Sequence, residues 1–269
     1  MTTETGGRQP APPDSPVLEL RGVSKSFGAV QALYEVDFHV AAGEVMALVG
    51  DNGAGKSTLI KCIAGIYPFD AGEVVFEGKP VNIHGPKDAA DLGIEVVYQD
   101  LALADNLDVV QNMYLGREEV APLRRLDETA MEKRASETLK GLSVTTIRSV
   151  RQTVAGLSGG QRQSVAVAKA VMWNSRVVIL DEPTAALGVA QTKQVLDLVA
   201  RLGEQGLAVV LISHNLHDIF QVADSITVLR LGQNVKEFKR RETNQQEVVE
   251  AITAGELSKV PGQAEEAVT

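Results

Sequence analysis

The segment from Gly50 to Thr58 has the residue types and the spacing of a phosphate-binding loop. Its glycines allow a positive φ and a close approach of the backbone to a ligand. The N–H groups of such a turn, together with the positive N-terminus of the following helix, can hold a polyphosphate. Lys56 can reach the β- and γ-phosphates, and the Ser57 hydroxyl suits a Mg²⁺ ion. We therefore predict a nucleoside triphosphate site formed by Gly50, Asp51, Asn52, Gly53, Ala54, Gly55, Lys56, Ser57 and Thr58.

Two adjacent carboxylates, Asp181 and Glu182, follow the uncharged run 177–180. Such a run is typical of a central parallel strand that is buried on both faces. In a doubly wound sheet its carboxyl end lies beside the phosphate loop, where Asp181 can hold Mg²⁺ through water. Glu182 can act as the general base that polarises an attacking water. We expect hydrolysis of the triphosphate at this edge.

Two further polar side chains end apolar runs of the same kind. His214 follows residues 208–213, and it can contact the γ-phosphate or the attacking water. Gln99 ends the run 94–98, and its carbonyl oxygen can bind Mg²⁺ or orient water. A solvated strand end explains Gln99 equally well when that residue is considered alone.

A second helix N-terminus is predicted at Ser158, Gly159, Gly160 and Gln161. The serine hydroxyl and the free N–H groups of a first turn can bind an anion, or the serine can serve only as a helix cap. The position of this segment just before the carboxylate strand favours a role in the site.

The remaining pattern indicates the elements that position these residues. Alternating apolar residues at 17–23 and 32–40 predict an antiparallel β-layer, with Phe27 in the turn between them. Phe27 can stack on an adenine ring or fill the β-layer. Residues 105–140 have helical spacing around a connection at 117–129. We expect a hairpin within 225–238 and a short helix near 247–252.

The composition makes some classes of protein less favoured than others. The chain of 269 residues has a net charge of −9, which disfavours a nucleic-acid binder. Its single cysteine, Cys62, excludes an internal disulfide and is expected to be a buried thiol. The sequence has no apolar run near the roughly 18 residues that span a bilayer and no signal-peptide pattern.

Taken in order, these motifs resemble the ATP-binding subunits of ABC transporters, from about Val17 to the low 250s. The Leu157–Gln161 signature ahead of the carboxylate strand is the most specific of them. The resemblance implies an α/β fold of the P-loop NTPase (RecA-like) type, with a parallel-sheet core, an antiparallel β-layer and a helical subdomain at about 100–172. The implied domain organisation is a disordered leader at 1–16, an ATPase domain at 17–255 and a polar tail at 256–269.

The resemblance also implies roles and partners. Phe27 stacks on adenine, Lys56 and Ser57 hold phosphates and Mg²⁺, Gln99 couples to the membrane partner, Glu182 is the base and His214 senses the γ-phosphate. ATP lies in a head-to-tail homodimer, between one phosphate loop and the signature of the second copy. The implied partners are integral membrane permease subunits and, indirectly, a periplasmic or extracellular sugar-binding protein, with no nucleic acid. The implied location is the cytoplasmic face of the cell membrane.

The stretches 98–103 and 112–118 are similar to importers of simple sugars such as ribose, xylose and fructose, here with one cassette. Two other functions stay open: the ATPase of another ABC importer, and a soluble ABC ATPase acting on ribosomes or DNA. The soluble type usually has two cassettes or a long coiled-coil insertion. One departure from the family pattern is Gly188, where an aspartate is usual, and it puts communication between the two sites in doubt.

Overall fold

The computed structural model describes residues 16–121 and 125–254. The predicted tail at 256–269 lies outside these residues, as does the predicted leader except for Pro16, which begins the first strand. The strands are β1 Pro16–Phe27, β2 Val30–Ala41, β3 Val45–Val49, β4 Ala71–Phe76, β5 Lys79–Val81, β6 Ile94–Val97, β7 Val120–Ala121, β8 Arg125–Leu126, β9 Val177–Asp181, β10 Ala208–Ile212, β11 Ser225–Arg230 and β12 Gln233–Lys239. The helices are α1 Lys56–Ile63, α2 Pro86–Asp91, α3 Val109–Tyr114, α4 Glu128–Gly141, α5 Gly159–Val171, α6 Val189–Glu204, α7 Leu216–Val222 and α8 Gln245–Ala254.

The central sheet has the strand order β12-β11-β3-β10-β9-β6. Its neighbours are parallel except for β12, which pairs with β11 in the antiparallel direction. Every residue of β3 and β10 is buried, as expected for apolar strands covered on both faces. The carboxyl ends of β3, β9 and β10 therefore meet at one edge, as the sequence predicted.

A second, antiparallel sheet of order β2-β1-β4-β5 forms the predicted β-layer. Its inner side chains, among them Leu18 and Leu20, share one buried cluster with Met46 and Leu48 of β3. Burial of this apolar surface fixes the β-layer beside the phosphate loop. The predicted α/β architecture is thereby confirmed.

The helical part consists of α3, α4 and α5, which pack on one another. Arg151 joins two of these helices, because its Nε lies 2.8 Å from Glu132 of α4 and its guanidinium 3.4 Å from Asp108, the N-cap of α3. The segment 117–129, predicted as a plain connection, instead contains the small hairpin β7–β8. That prediction missed the hairpin because the pairs Val120–Leu126 and Ala121–Arg125 are too short to show a period.

Two buried polar groups are part of this framework. Cys62 on α1 is 1% exposed, and burial raises the pKa of its thiol to about 11, so the thiol is neutral as expected of a structural cysteine. Asn112 is fully buried, and its amide bonds the backbone at Ala104, Leu107 and Asp108. Within residues 16–121 and 125–254, none of the helices combines the length and the apolar character of a membrane-spanning segment.

Candidate functional site

The phosphate loop connects β3 to α1 and has the predicted backbone. Gly50, Gly53 and Gly55 have φ values of 150°, 81° and 102°. A Cβ on Gly50 would lie 2.1 Å from the carbonyl oxygen of Leu229, so the end of β11 leaves no room for a side chain there. Gly55 is the N-cap of α1 and gives it no side-chain cap. The first N–H groups of α1 are thus free of a cap and suited to phosphate oxygens.

Lys56 lies across this loop. Its Nζ donates to the carbonyl oxygens of Gly50 at 2.7 Å and of Asp51 at 3.0 Å. Burial lowers the pKa of the ammonium, while the nearby carboxylates of Glu182, Asp51 and Asp181 oppose that shift. The Lys56 ammonium therefore lies close to the three carboxylates of the site.

Asp181 ends β9, and β10 separates this strand from β3. Burial and then the charge of Glu182 raise the pKa of Asp181, while Lys56 and Lys61 oppose the rise. Burial disfavours the ionised form of this carboxylate, and a cation bound next to it would favour that form again.

Glu182 is fixed by backbone geometry and by a side-chain contact. Its N–H donates to the carbonyl oxygen of Ile212 at 2.9 Å, which ties the ends of β9 and β10 together. Its Oε2 lies 2.8 Å from Nδ1 of His214, with the glutamate side chain 17% and the histidine side chain 78% exposed. The predicted base and the predicted phosphate contact thus form one pair.

These residues face one cleft of about 1000 Å³. The cleft is lined by the whole predicted phosphate loop (Gly50–Thr58) and by four other predicted residues, Gln99, Asp181, Glu182 and His214. The other predicted residues, Phe27 and Ser158–Gln161, do not line this cleft.

Residues that the sequence did not single out complete the cleft wall: Val30, Gln31, Ala32, Ala185, Ile212 and Leu231. Leu231 is 78% exposed at the tip of the β11–β12 hairpin, and the N–H of the next residue, Gly232, donates to Ala54 of the phosphate loop at 3.0 Å. This hairpin reaches the cleft because β11 pairs with β3, a fact of strand order for which the sequence has no local signal.

Phe27 lies at the end of β1, directly opposite Val30 of the cleft wall. Its ring meets that of Tyr67 edge-on at 5.1 Å, and Lys25 lies 5.6 Å from its centre. The side chain is nevertheless 43% exposed. Phe27 thus packs against Tyr67 and keeps part of its ring open to solvent beside Val30, and its stacking on adenine stays a prediction.

The signature segment (Leu157–Gln161) starts α5 as predicted. Ser158 is the N-cap: its Oγ accepts from the Gln161 N–H at 3.4 Å, and the Gln161 amide oxygen accepts from the Ser158 N–H at 2.9 Å. A Cβ on Gly159 would lie 2.8 Å from the side chain of Leu187, and one on Gly160 3.1 Å from that of Gln191. The glycines let α5 begin close to the N-terminus of α6.

Three cleft residues offer the oxygen ligands that Mg²⁺ prefers: the Ser57 hydroxyl, the Gln99 amide and the Asp181 carboxylate. Within the described ranges, no group of three or more His, Cys, Asp or Glu residues forms a metal cage. Mg²⁺ usually binds through one or two protein groups plus water and substrate phosphates, so this donor set fits the ion.

A parallel sheet with a phosphate loop, a strand-end Asp-Glu pair and a histidine at one cleft defines a P-loop nucleoside triphosphatase. Residues 33–185 match the family model described as ABC transporter. The chain belongs to the ABC transporter family and is an ATP-binding subunit, an ATPase of that family.

Three of its relatives are named as import ATP-binding proteins. It is 49% identical over 226 residues to the fructose import ATP-binding protein FrcA of Rhizobium meliloti, covering 82% of this chain and 87% of the relative. It is 46% identical over 246 residues to the xylose/arabinose import ATP-binding protein XylG of Sulfolobus acidocaldarius, covering 91% and 97%. A ribose import ATP-binding protein, RbsA of Yersinia pestis, is 41% identical over 90% of this chain, which spans 47% of that relative.

Solved structures of similar fold agree with this family assignment. A nucleotide-free ATP-binding cassette from an ABC transporter superposes with a TM-score of 0.77 at 26% identity, covering 88% of this chain and 98% of that chain. The dimeric post-hydrolysis structure of the cassette MJ0796, bound to ADP and Pi, superposes with a TM-score of 0.70 at 27% identity, covering 84% and 100%.

Proposed function

We propose that this chain is the ATP-hydrolysing subunit of an importer of a simple sugar. The observation that carries the proposal is the single cleft at which the phosphate loop, Lys56, Asp181, Glu182 and His214 meet. The relatives named for fructose, xylose/arabinose and ribose import, at 41–49% identity, support the sugar as cargo.

In this proposal the loop Gly50–Thr58 binds the triphosphate through its backbone N–H groups and Lys56. Glu182 accepts the proton of the attacking water, and His214 contacts the γ-phosphate. The positive charge of Lys56 offsets the charge that develops on the transferred phosphoryl group. Phe27 stacks on the adenine ring from its place opposite Val30, which lines the cleft.

Ser57, Gln99 and Asp181 are the residues that we propose to hold Mg²⁺. When bound, this ion neutralises charge on the phosphates and polarises them for attack by water. Gln99 also contacts the membrane partner in this scheme, because it joins β6 to the helical part.

The signature segment completes the site from a second copy. Ser158, Gly159, Gly160 and Gln161 lie away from the cleft of their own chain, yet Ser158 and Gly159 are exposed at a helix N-terminus suited to a phosphate. A two-fold, head-to-tail homodimer presents this segment to the ATP of the partner subunit. ATP then favours the closed pair, and hydrolysis favours its opening.

The remaining parts of the proposal concern the assembly. Closure and opening of the dimer drive integral membrane permease subunits between two shapes, from a peripheral position at the cytoplasmic face of the membrane. A sugar-binding protein on the other side delivers the cargo and has no direct contact with this chain. Nucleic acid has no part in the scheme.

The test is reconstitution of this chain with its genomically adjacent permease and binding protein in proteoliposomes. ATP hydrolysis and uptake of radiolabelled fructose, xylose, arabinose, ribose and a set of amino acids are measured, each with the binding protein present and absent. We expect at least one sugar to stimulate both activities in the presence of the binding protein. Stimulation by amino acids alone would contradict the sugar as cargo while leaving the ATPase assignment intact.

A further inference from the structure

The loop from Glu182 to Leu187, which follows the carboxylate strand, has a backbone that needs outside support. Glu182 has φ 50° and Ala186 has φ 59°, both in the left-handed region although neither is glycine. Such residues keep this conformation only where surrounding contacts determine it. The position of the Glu182 carboxylate therefore depends on what holds the loop.

A partly buried hydrogen bond supplies one such contact. The Thr184 hydroxyl donates to Oδ2 of Asp218 at 2.8 Å, and Asp218 is 3% exposed. Apart from the Glu182–His214 contact, this is the one side-chain hydrogen bond or ion pair that the loop forms within the described residues. Burial of a carboxylate is unfavourable unless it is hydrogen-bonded. Two apolar side chains in place of Thr184 and Asp218 would fill the same space at no such cost, so packing alone does not account for this polar pair.

Asp218 lies on α7, the helix that follows His214 in the chain. The helix α7 begins at Leu216, and its N-cap Asn215 accepts from the N–H of His217 at 3.1 Å. The N–H of Asn215 in turn donates to the Ser213 hydroxyl at 3.0 Å, which fixes the chain on both sides of His214. His214 and Asp218 are thus parts of one short, hydrogen-bonded unit.

Two contacts of 2.8 Å, Glu182–His214 and Thr184–Asp218, therefore join the same loop to the same unit. The first is exposed on the histidine side and lies in the cleft, whereas the second is partly buried and neither of its residues lines the cleft. Two connections fix both the distance and the orientation of the loop relative to this unit, whereas one contact alone would let the two turn relative to each other.

We propose that Thr184 and Asp218 are positioning residues that hold Glu182 and His214 in register for hydrolysis. The proposal rests on the role of Glu182 as the general base. Neither side chain lines the cleft, so both act through the loop and α7 and not through contact with the nucleotide.

The test compares ATP binding with turnover in the full-length chain. Thr184→Val removes the hydroxyl at nearly constant volume, and Thr184→Ser retains it. Asp218→Asn retains an acceptor for Thr184, and Asp218→Leu does not. Thr138→Val is the matched control, because the Thr138 hydroxyl bonds only the backbone oxygen of Arg134 on the exposed side of α4.

We expect Thr184→Val and Asp218→Leu to lower kcat about tenfold, the effect of one hydrogen bond to a charged group. The Kd for ATP is expected to stay unchanged, because the phosphate loop is untouched. Thr184→Ser and Asp218→Asn are expected to retain most of the activity. The double variant Thr184→Val/Asp218→Leu is expected to have the same kcat as the less active of the two single variants, because both substitutions remove the same contact.

A wild-type kcat for Thr184→Val would overturn the proposal. So would a loss of ATP binding in proportion to kcat, or an equal loss for Thr138→Val, because each indicates a general destabilisation. If Asp218→Leu does not fold, Thr184→Val and Thr184→Ser decide alone. Glu182→Gln in the same assay separates the role of Glu182 as base from the positioning role of Thr184 and Asp218. If Glu182→Gln hydrolyses ATP normally, the role of base is wrong. If Glu182→Gln is inactive while Thr184→Val is normal, only the positioning role is wrong.

Discussion

Nδ1 of His214 and Oε2 of Glu182 lie 2.8 Å apart at the carboxyl end of the central sheet. The contact uses one ring nitrogen for the glutamate and leaves Nε2 for a phosphate oxygen. It thereby places a proton acceptor and a phosphate contact side by side, each on a separate strand end.

From this pair we predict that Glu182→Gln keeps ATP binding and loses hydrolysis by at least about 100-fold, the usual contribution of a general base. The amide oxygen that the substitution introduces can still accept from His214, so the local geometry is retained. Light scattering is expected to detect a stable dimer on addition of ATP. Glu204→Gln, at the exposed end of α6, is the matched control, and normal hydrolysis by Glu182→Gln would refute the role of base.

The shared site predicts complementation between two inactive variants. Ser158→Arg blocks the signature segment, and Lys56→Ala disables the phosphate loop, so each homodimer lacks both complete sites. Ser158→Arg alone should still bind ATP as a monomer. An equal mixture contains mixed dimers with one complete site, and we expect about a quarter of wild-type ATPase activity if the subunits exchange freely. Absence of recovery, with both variants folded by circular dichroism, would argue against a site built from two copies.

The raised pKa of Asp181 predicts a pH-dependent effect of Asp181→Asn. Because the folded protein binds this proton more readily than the unfolded chain, the ionised carboxylate lowers stability at neutral pH. This cost disappears as the pH falls through the raised pKa towards the ordinary value of about 4. Without nucleotide, the variant should therefore have a higher Tm than the wild type at pH 7.5, with a smaller difference at pH 4.5.

In the presence of Mg²⁺ and ATP the order should reverse, because the variant lacks the proposed metal ligand. Differential scanning fluorimetry with MgCl₂ or EDTA measures both effects. Asp197→Asn, on the exposed face of α6, is the control and should show neither. An Asp181→Asn variant stabilised by Mg-ATP as strongly as the wild type would remove Asp181 from the metal site.

Gly188 predicts a small gain in stability on restoring the side chain that the family usually has. This residue is the N-cap of α6, with φ −74°, and no atom lies within 4 Å of a Cβ built there. Aspartate is a better N-cap than glycine, and its charge suits a helix N-terminus. We expect Gly188→Asp to raise the Tm by about 1 °C and Gly188→Ala to lower it by about 2 °C. If alanine and aspartate shift the Tm equally, capping is not the cause.

Much of the site could be predicted because its signals are local. The phosphate loop is a run of adjacent residues, and Asp181 and His214 each end an apolar run, so the strand pattern alone brings them to one edge. The cap at Ser158 could also be predicted, because the side chains involved are three residues apart.

The features that escaped prediction depend on which distant segments meet. Thr184 and Asp218 are 34 residues apart, and their hydrogen bond exists only because the segment after β9 meets the first turn of α7. Leu231 reaches the cleft because β11 lies next to β3, and the hairpin β7–β8 is held by two pairs of residues. None of these relationships has a periodic or motif-like trace in the sequence.

The ammonium of Lys56 has a consequence for measurements of affinity. It already joins two carbonyl oxygens of its own loop, at Gly50 and Asp51, so an incoming phosphate competes with bonds that the protein makes to itself. The lysine thus acts as an internal brace of the loop as well as a receptor for anions. Removing it both takes away a charge and loosens the surrounding turn, and a binding constant for Lys56→Ala sums the two losses.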